Sequence, residues 1–306
     1  MSDDIHYKNV VGGFFDQCWA MMPEALVRYT AVVSQWSVGI KMYKPAIDAL
    51  MEARAKPIKR VDGKVVVLPL FGVVAQRMDL FSELSGGGTS TERFGRDFDK
   101  AMRDDDVDAI VLNIDSPGGS VYGVQELADK IYEARGKKKT YAIANSLAAS
   151  AAYHIGAAAD QFYVTPSGEA GSIGVFSVHV DRSKMNEQDG VDVTYISAGK
   201  YKVEMNPDNP LTDEARTAAQ ASVDEYYDAF VANVARFRGV KEKEVRNGFG
   251  EGRVVSAQRA VEEGMADRVM TLESLLSELG VGQKRRKSAS QMRDERRNKG
   301  RERIPA

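Results

Sequence analysis

Two stretches of this chain hold residues whose types and spacing could perform acyl transfer. The first is Asn145-Ser-Leu-Ala-Ala-Ser-Ala-Ala-Tyr153, which follows the apolar segment Thr140–Ala144. Ser150 stands among alanines, so its hydroxyl has little bulk around it. At a strand-to-helix junction the first helical N–H groups are unpaired and can stabilise negative charge. The second stretch is Asp115-Ser-Pro-Gly-Gly-Ser120, at the end of another apolar strand. Glycines after a strand allow positive φ and leave backbone N–H groups uncovered. A donor from the Pro117-Gly118-Gly119 turn, opposed to the N–H of Ala151, would grip the oxygen of a tetrahedral intermediate. Together the two stretches suggest a nucleophile and an oxyanion cradle.

A serine hydroxyl is a poor nucleophile without a neighbouring base. His154 lies on the same helix as Ser150 and reads as structural. His179, on a predicted strand, is a triad histidine in principle. The third candidate is a lysine of Ser197-Ala-Gly-Lys-Tyr-Lys-Val203. A lysine serves as base only when neutral, so its pKa near 10.4 must fall by roughly 2–3 units through burial away from carboxylates. Lys200 would share a face with Lys202 if this segment is extended. Glu204 would hold Lys202 charged if it pointed inward; it is expected to point to solvent.

These residues depend on elements that can be read from pattern. Residues 1–60 read as mostly helical, with Trp19, Met21 and Met22 either an arm that packs on a neighbour or an ordinary helical cap. Gly63–Val74 is β-branched and apolar, a buried strand or two with a bend at Pro69. Ser82–Ser90 is a glycine-rich loop, and Phe94–Arg103 a helix. Strands are expected over 108–114, 140–144, 161–164, 175–180 and 192–197. Helices are expected over 121–135, 147–159, 182–188, 211–238, 255–265 and 272–279. Ser146 is the better N-cap in this reading, which leaves Ser150 one turn inside its helix. The order strand–helix–strand at this spacing argues right-handed βαβ units and an α/β fold. No internal repeat is apparent.

With 306 residues the chain can bury a sizeable core as one large domain or two small ones, and its 43% hydrophobic content is ordinary for a globular protein. The formal charge of −2 hides an asymmetry: Lys284–Arg303 holds ten Lys/Arg and three Asp/Glu, a net of +7, so the rest carries −9. That tail reads as a solvated, disordered end, or as a docking segment for an acidic partner or nucleic acid. Cys18 is the single cysteine, which excludes an intrachain disulfide and a cysteine metal cluster. Three histidines argue against a zinc site, and neither metal nor cofactor is expected. No apolar run approaches the ~20 residues of a membrane helix, and Met-Ser-Asp-Asp-Ile lacks a signal-peptide pattern. A cytoplasmic location without membrane contact is therefore expected.

The motifs together resemble the S49 serine peptidases, the signal-peptide-peptidase A group, and within it the capsid-assembly (prohead) proteases of tailed phages. The matching elements are Asp115–Ser120, Ser146–Tyr153, Gly171-Ser-Ile-Gly-Val175, Gly199-Lys-Tyr-Lys202 and the stretch from Gly252 to Asp267, in family order. The resemblance implies a ClpP/crotonase-like spiral of ββα units over 61–281, behind a helical arm over 1–60 and ahead of a disordered basic tail over 282–306. It implies Ser150 as nucleophile and Lys202 as general base of a Ser–Lys dyad. Ser172 would orient that lysine, and Gly119 with Ala151 would form the oxyanion hole. It also implies a homo-oligomeric ring whose sites are completed by neighbours. Scaffold, portal or capsid proteins would be the substrates, inside a prohead in the host cytoplasm. Nucleic acid is not expected as a partner, other than through the basic tail. Where cellular members often carry Gly-Gly after the nucleophile, this chain has Ala151-Ala152.

The substrate is expected to lie along a strand edge near Val65–Val74. Alternatives are a signal-peptide-peptidase-like enzyme, a ClpP-like Ser–His protease, a crotonase, or an inactive assembly protein that keeps the fold.

Overall fold

The computed structural model describes residues 17–28, 30, 59–61, 64–77 and 88–282. Three times the chain lays down a long strand, a short strand and a helix. The first unit is β3 (Val65–Phe71) and β4 (Val73–Ala75), followed by β5 (Gly88–Ser90) and α1 (Thr91–Arg103). The second is β6 (Ala109–Ser116), β7 (Gly118–Ser120) and α2 (Val124–Glu133). In the third, β8 (Lys139–Ala149) does the work of both strands and leads into α3 (Ala151–Ala157). Then follow β9 (Gln161–Val164), β10 (Glu169–Gly171), α4 (Ser183–Gln188), α5 (Asp213–Arg238), α6 (Glu242–Gly248), β11 (Val254–Ser256), α7 (Ala257–Glu262), β12 (Arg268–Val269) and α8 (Leu272–Glu278).

The long strands β3, β6 and β8 run parallel as neighbours in one sheet, extended by β2 (Lys59–Val61) beside β3 and by β10 and β11 beyond β8. The runs of Val, Ile and Leu in β3 and β6 suit strands covered on both faces. The short strands form a second sheet in the order β1-β7-β4-β5, where β1 is Trp19–Met21. One core joins the layers, with Ile110, Leu112 and Ile114 of β6 packed in the same cluster as Phe98 of α1 and Ile131 of α2. Each such side chain, at 1% exposure or less, contributes about 1.5–3 kcal/mol by burial.

β8 changes partners halfway. Its first half pairs with β6 and β9, and Leu147–Ala149 pairs with Glu169–Gly171 of β10. The switch falls at Ser146, whose φ of 151° breaks the extended run, and the β6 register slips between Ile114 and Ser116. The helix expected over 147–159 therefore begins at Ala151, and Ser146 is a strand residue rather than an N-cap. Alanine-rich sequence has high helix propensity, but the β10 ladder overrides it here.

Other expectations change for similar reasons. The chain bends at Gly72 (φ 67°) rather than at Pro69, which stays inside β3 beyond the reach of β2. Residues 175–180 make only an isolated bridge at Phe176, and 192–197 form no strand; that segment is exposed, so it has no sheet to join. Of the expected helical arm, Trp19–Met21 is a strand of this domain and residues 23–28 are helical. Trp19 packs within its own chain, fully buried. Most of the remaining arm, and the tail from 283, lie outside the described residues. The helix α5 is amphipathic only in its second half: Phe230, Val234 and Phe237 are buried, whereas Ala218, Ala221 and Tyr226 are exposed.

Candidate active site

The β8–α3 junction places Ser150 as the N-cap of α3, with φ 53° and ψ −116°. A non-glycine residue held at positive φ stores strain and needs its surroundings to enforce it. The enforcement is visible: the Ser150 N–H donates to the Gly171 carbonyl at 2.7 Å, and its own carbonyl accepts from the His154 N–H at 2.9 Å. An N-cap serine ordinarily turns its oxygen onto the first helical amides. Ser150 does not; its hydroxyl donates to the Gly174 carbonyl at 3.3 Å. The start of α3 is thereby left without a side-chain cap, and its first amide belongs to Ala151.

Ser172 arrives through the same ladder. Ala149 opposes Gly171, so the residue after each stands at the end of the paired strands. Ser172 is buried at φ 54°, and its N–H donates to the Arg253 carbonyl at 2.8 Å. Gly119 lies on the other side. A Cβ on Gly119 would sit 1.8 Å from the Val74 carbonyl oxygen, so only glycine fits. A Cβ on Gly118 would lie 2.3 Å from the Ala20 carbonyl oxygen and 3.0 Å from that of Ala149, which places β1 beside the residue preceding Ser150. The structure thus brings Ser150, Ala151, Ser172 and the Gly118–Gly119 turn together.

Lys202 differs from this buried group in its exposure. Residues 191–202 are exposed, and 199–205 coil in successive turns, with the Lys202 N–H on the Gly199 carbonyl and the Glu204 N–H on that of Tyr201. Because the segment is not extended, Lys200 and Lys202 do not share a face by alternation. The Lys200 ammonium donates to Glu214 and to the Tyr201 hydroxyl, which holds its pKa above the ordinary lysine value and so keeps it protonated. Glu204 is half-buried.

The histidines separate cleanly. His154 is buried against Phe230, ring centroids 4.5 Å apart, with Asn233 at 3.3 Å. Burial, with a smaller push from Arg236, lowers its pKa to about 3, so it is a neutral core residue. His179 lines a cleft of about 710 Å³ with Val175, Phe176 and Arg216, and its Nε2 is buried with no hydrogen-bond partner among the described residues.

A profile of peptidase family S49 matches residues 133–285, half of the sequence, and takes in Ser150 and Ser172. The chain belongs to peptidase family S49. Among its relatives are the head-tail preconnector protein GP5 of Enterobacteria phage P21, 32% identical over 75% of this chain and 46% of that protein. The capsid assembly protease C of Escherichia phage lambda is 32% identical over 67% of this chain and 46% of its own length. A putative signal peptide peptidase SppA of Enterococcus faecium is 32% identical over 71% and 62%. The chain spans about half the length of the two phage relatives. Among solved structures, a ClpP1 variant of Listeria monocytogenes overlaps at TM-score 0.43 and 12% identity, covering 75% of this chain and 98% of that one. The fold assignment rests on the strand order above.

Sequence reasoning missed two contributors. Gly174 supplies the carbonyl that receives the Ser150 hydroxyl, and nothing but its place in Gly-Ser-Ile-Gly marked it. The strand Trp19–Met21 was legible as a short apolar run, Cys18 to Met22, closed by a helix-starting Pro23. Finally, the expected substrate edge is taken at its two ends, while Leu68–Phe71 runs beyond β2. Val65–Val67 is flanked by β2 and β6, and Val73–Ala75 by β5 and β7.

Proposed function

We propose that this chain is a serine endopeptidase that uses Ser150 as nucleophile and Lys202 as general base, acting on scaffold, portal or capsid proteins during phage head maturation. The observation that carries it is Ser150 itself, a strained and buried serine whose hydroxyl is withheld from its helix. Neutral Lys202 takes the proton from the Ser150 hydroxyl, and the oxygen attacks the peptide carbonyl. The N–H groups of Gly119 and Ala151 stabilise the oxyanion, and Lys202 returns the proton to the leaving amine. Water then attacks the acyl-enzyme and frees Ser150. Ser172 orients the lysine.

Lys202 is exposed in the single chain, and a lysine serves as a base only where burial away from carboxylates favours its neutral form. The base function therefore requires a second copy to cover the 191–202 segment, in a homo-oligomeric ring. The surface there suits that role: Ile196 is 97% exposed, and Val191, Val193, Tyr195 and Tyr201 are exposed beside it. The names of the two phage relatives support the head-maturation setting. Among the described residues no helix is long and apolar enough to cross a membrane.

One observation favours a second reading, a Ser–His pair. His179 follows Gly174 closely in sequence and carries an unpartnered buried Nε2. Hydrolysis of purified scaffold and capsid proteins by Ser150→Ala, Lys202→Ala and His179→Ala chains decides between the two. Loss in the first two with His179→Ala active supports the dyad. Activity in Lys202→Ala with loss in His179→Ala replaces it. Activity in Ser150→Ala rejects both.

A further inference from the structure

Ser150 has no exposed surface. That is unsuitable for a residue meant to meet a protein substrate, and β1 covers the approach. Trp19–Met21 runs antiparallel to Gly118–Ser120 of β7. The ladder is bounded by Met22 N–H on the Pro117 carbonyl at 2.9 Å and Val121 N–H on the Cys18 carbonyl at 3.4 Å. Bonded pairs alternate along an antiparallel ladder. The pairs 22/117 and 18/121 therefore make Ala20 and Gly119 the bonded pair between them, with the Ala20 carbonyl facing the Gly119 N–H. On its other side the segment bonds to Phe176. The Trp19 N–H donates to the Phe176 carbonyl at 2.8 Å, and the Phe176 N–H to the Trp19 carbonyl at 3.0 Å. Phe176 lies two residues beyond Gly174, the acceptor of the Ser150 hydroxyl.

An extended segment with backbone bonds on both edges and buried side chains is the geometry of a peptide bound by strand addition. Residues 18–21 are all buried; Ala20, opposite Gly119, is 3% exposed and its small side chain belongs to the hydrophobic core. Gln17 adds an anchor by accepting from the Ser120 hydroxyl at 2.9 Å.

We propose that the slot between β7 and Phe176 is the peptide-binding groove of this site, and that Cys18–Met22 is its built-in occupant. The ligand class is an extended peptide with a small side chain at the residue whose carbonyl meets Gly119. The chain blocks its own site until the segment leaves. This deepens the peptidase reading and depends on it only for the purpose of the groove, since binding is separable from turnover. Tethering gives the segment an effective concentration of about millimolar or above, so a free peptide competes poorly while the segment is intact.

The test uses the full-length chain carrying Ser150→Ala, which cannot turn over, with and without Ala20→Arg, which would bury a charge at a 3% exposed core position. The probe is a fluorescein-labelled hexapeptide of residues 17–22 with serine in place of the cysteine. Binding about tenfold or more tighter to the double variant is expected once the tether's advantage is removed. Equal affinity for two folded proteins overturns the proposal. If the double variant fails to unfold cooperatively, the readout passes to Cys18 in the Ser150→Ala chain. Millimolar hexapeptide should then accelerate its alkylation several-fold as the segment is displaced, and an unchanged rate overturns the proposal. An inactive wild type with this binding pattern removes the peptidase and keeps the groove. Hydrolysis without the pattern does the reverse.

Discussion

The Ser150 N–H is bonded to the Gly171 carbonyl at 2.7 Å. This bond ties the proposed nucleophile to the strand that carries Ser172, and it holds Ser150 at its positive φ. Site geometry and backbone strain are therefore one feature, which makes the junction sensitive to changes on either strand.

Ser150→Ala should keep the fold, because among the described residues the hydroxyl makes only the 3.3 Å bond to Gly174. Its catalytic cost should be about a thousandfold or more, as expected for removal of a nucleophile. Peptide hydrolysis measured beside thermal unfolding separates the two effects.

Gly119→Ala should be severe, because its Cβ would lie 1.8 Å from the Val74 carbonyl oxygen. Backbone cannot yield as a flexible side chain can, so a loss of about 3 kcal/mol or more is expected. Gly136→Ala is the control: it also has positive φ (79°), but nothing lies within 4 Å of the new Cβ. That change should cost only about 1–2 kcal/mol of left-handed strain. Urea unfolding of both variants checks the difference.

Arg135→Ala should loosen the helical layer behind the site. The guanidinium donates to the carbonyls of Ala157, Ala158, Ala159 and Phe237 at 2.6–3.0 Å, closing the ends of α3 and α5 together. Losing these charge-assisted bonds should cost about 2–4 kcal/mol. Lysine should not rescue it, because an ammonium cannot reproduce the planar fork. The melting temperatures of Arg135→Ala and Arg135→Lys test both statements.

His154 should make the protein acid-sensitive. Its pKa falls on folding from 6.5 to about 3. Between these values the unfolded chain binds the proton and the native one does not. Stability from this group is therefore full above the unfolded value and declines as pH drops below 6.5 toward 3, by at most about 1.4 kcal/mol per pH unit. Replacement with phenylalanine keeps the stack on Phe230 and removes the titration. Urea midpoints of His154→Phe should fall less steeply than wild type between pH 6.5 and 4.5; parallel profiles would refute the assignment.

Ile196→Asp tests the assembly requirement. The side chain is 97% exposed in the single chain, so the substitution should leave folding of that chain intact. Sedimentation should show smaller particles and hydrolysis should fall with them. Full activity at monomer mass would show that Lys202 needs no neighbour.

Much was legible in the sequence because it is local. The β-branched runs of β3 and β6, the apolar period of α2 and the Pro-Gly-Gly turn depend on neighbouring residues. So did the composition of the Ser150 and Ser172 motifs and their order along the chain, which mark the family. The tertiary structure alone decided where the alanine-rich run stops being strand. Ala148 and Ala149 are helix formers by propensity, and the distant β10 ladder, with Ser116 of β6 opposite Ala148, holds them extended and makes Ser150 the junction. It also decided that the apolar Cys18–Met22 segment pairs with the Gly118–Ser120 strand, because strand pairing joins residues that no local pattern relates. Lys202 is the reverse case: its motif is plain in the sequence, but its burial depends on contacts between distant segments, and the folded single chain leaves it exposed.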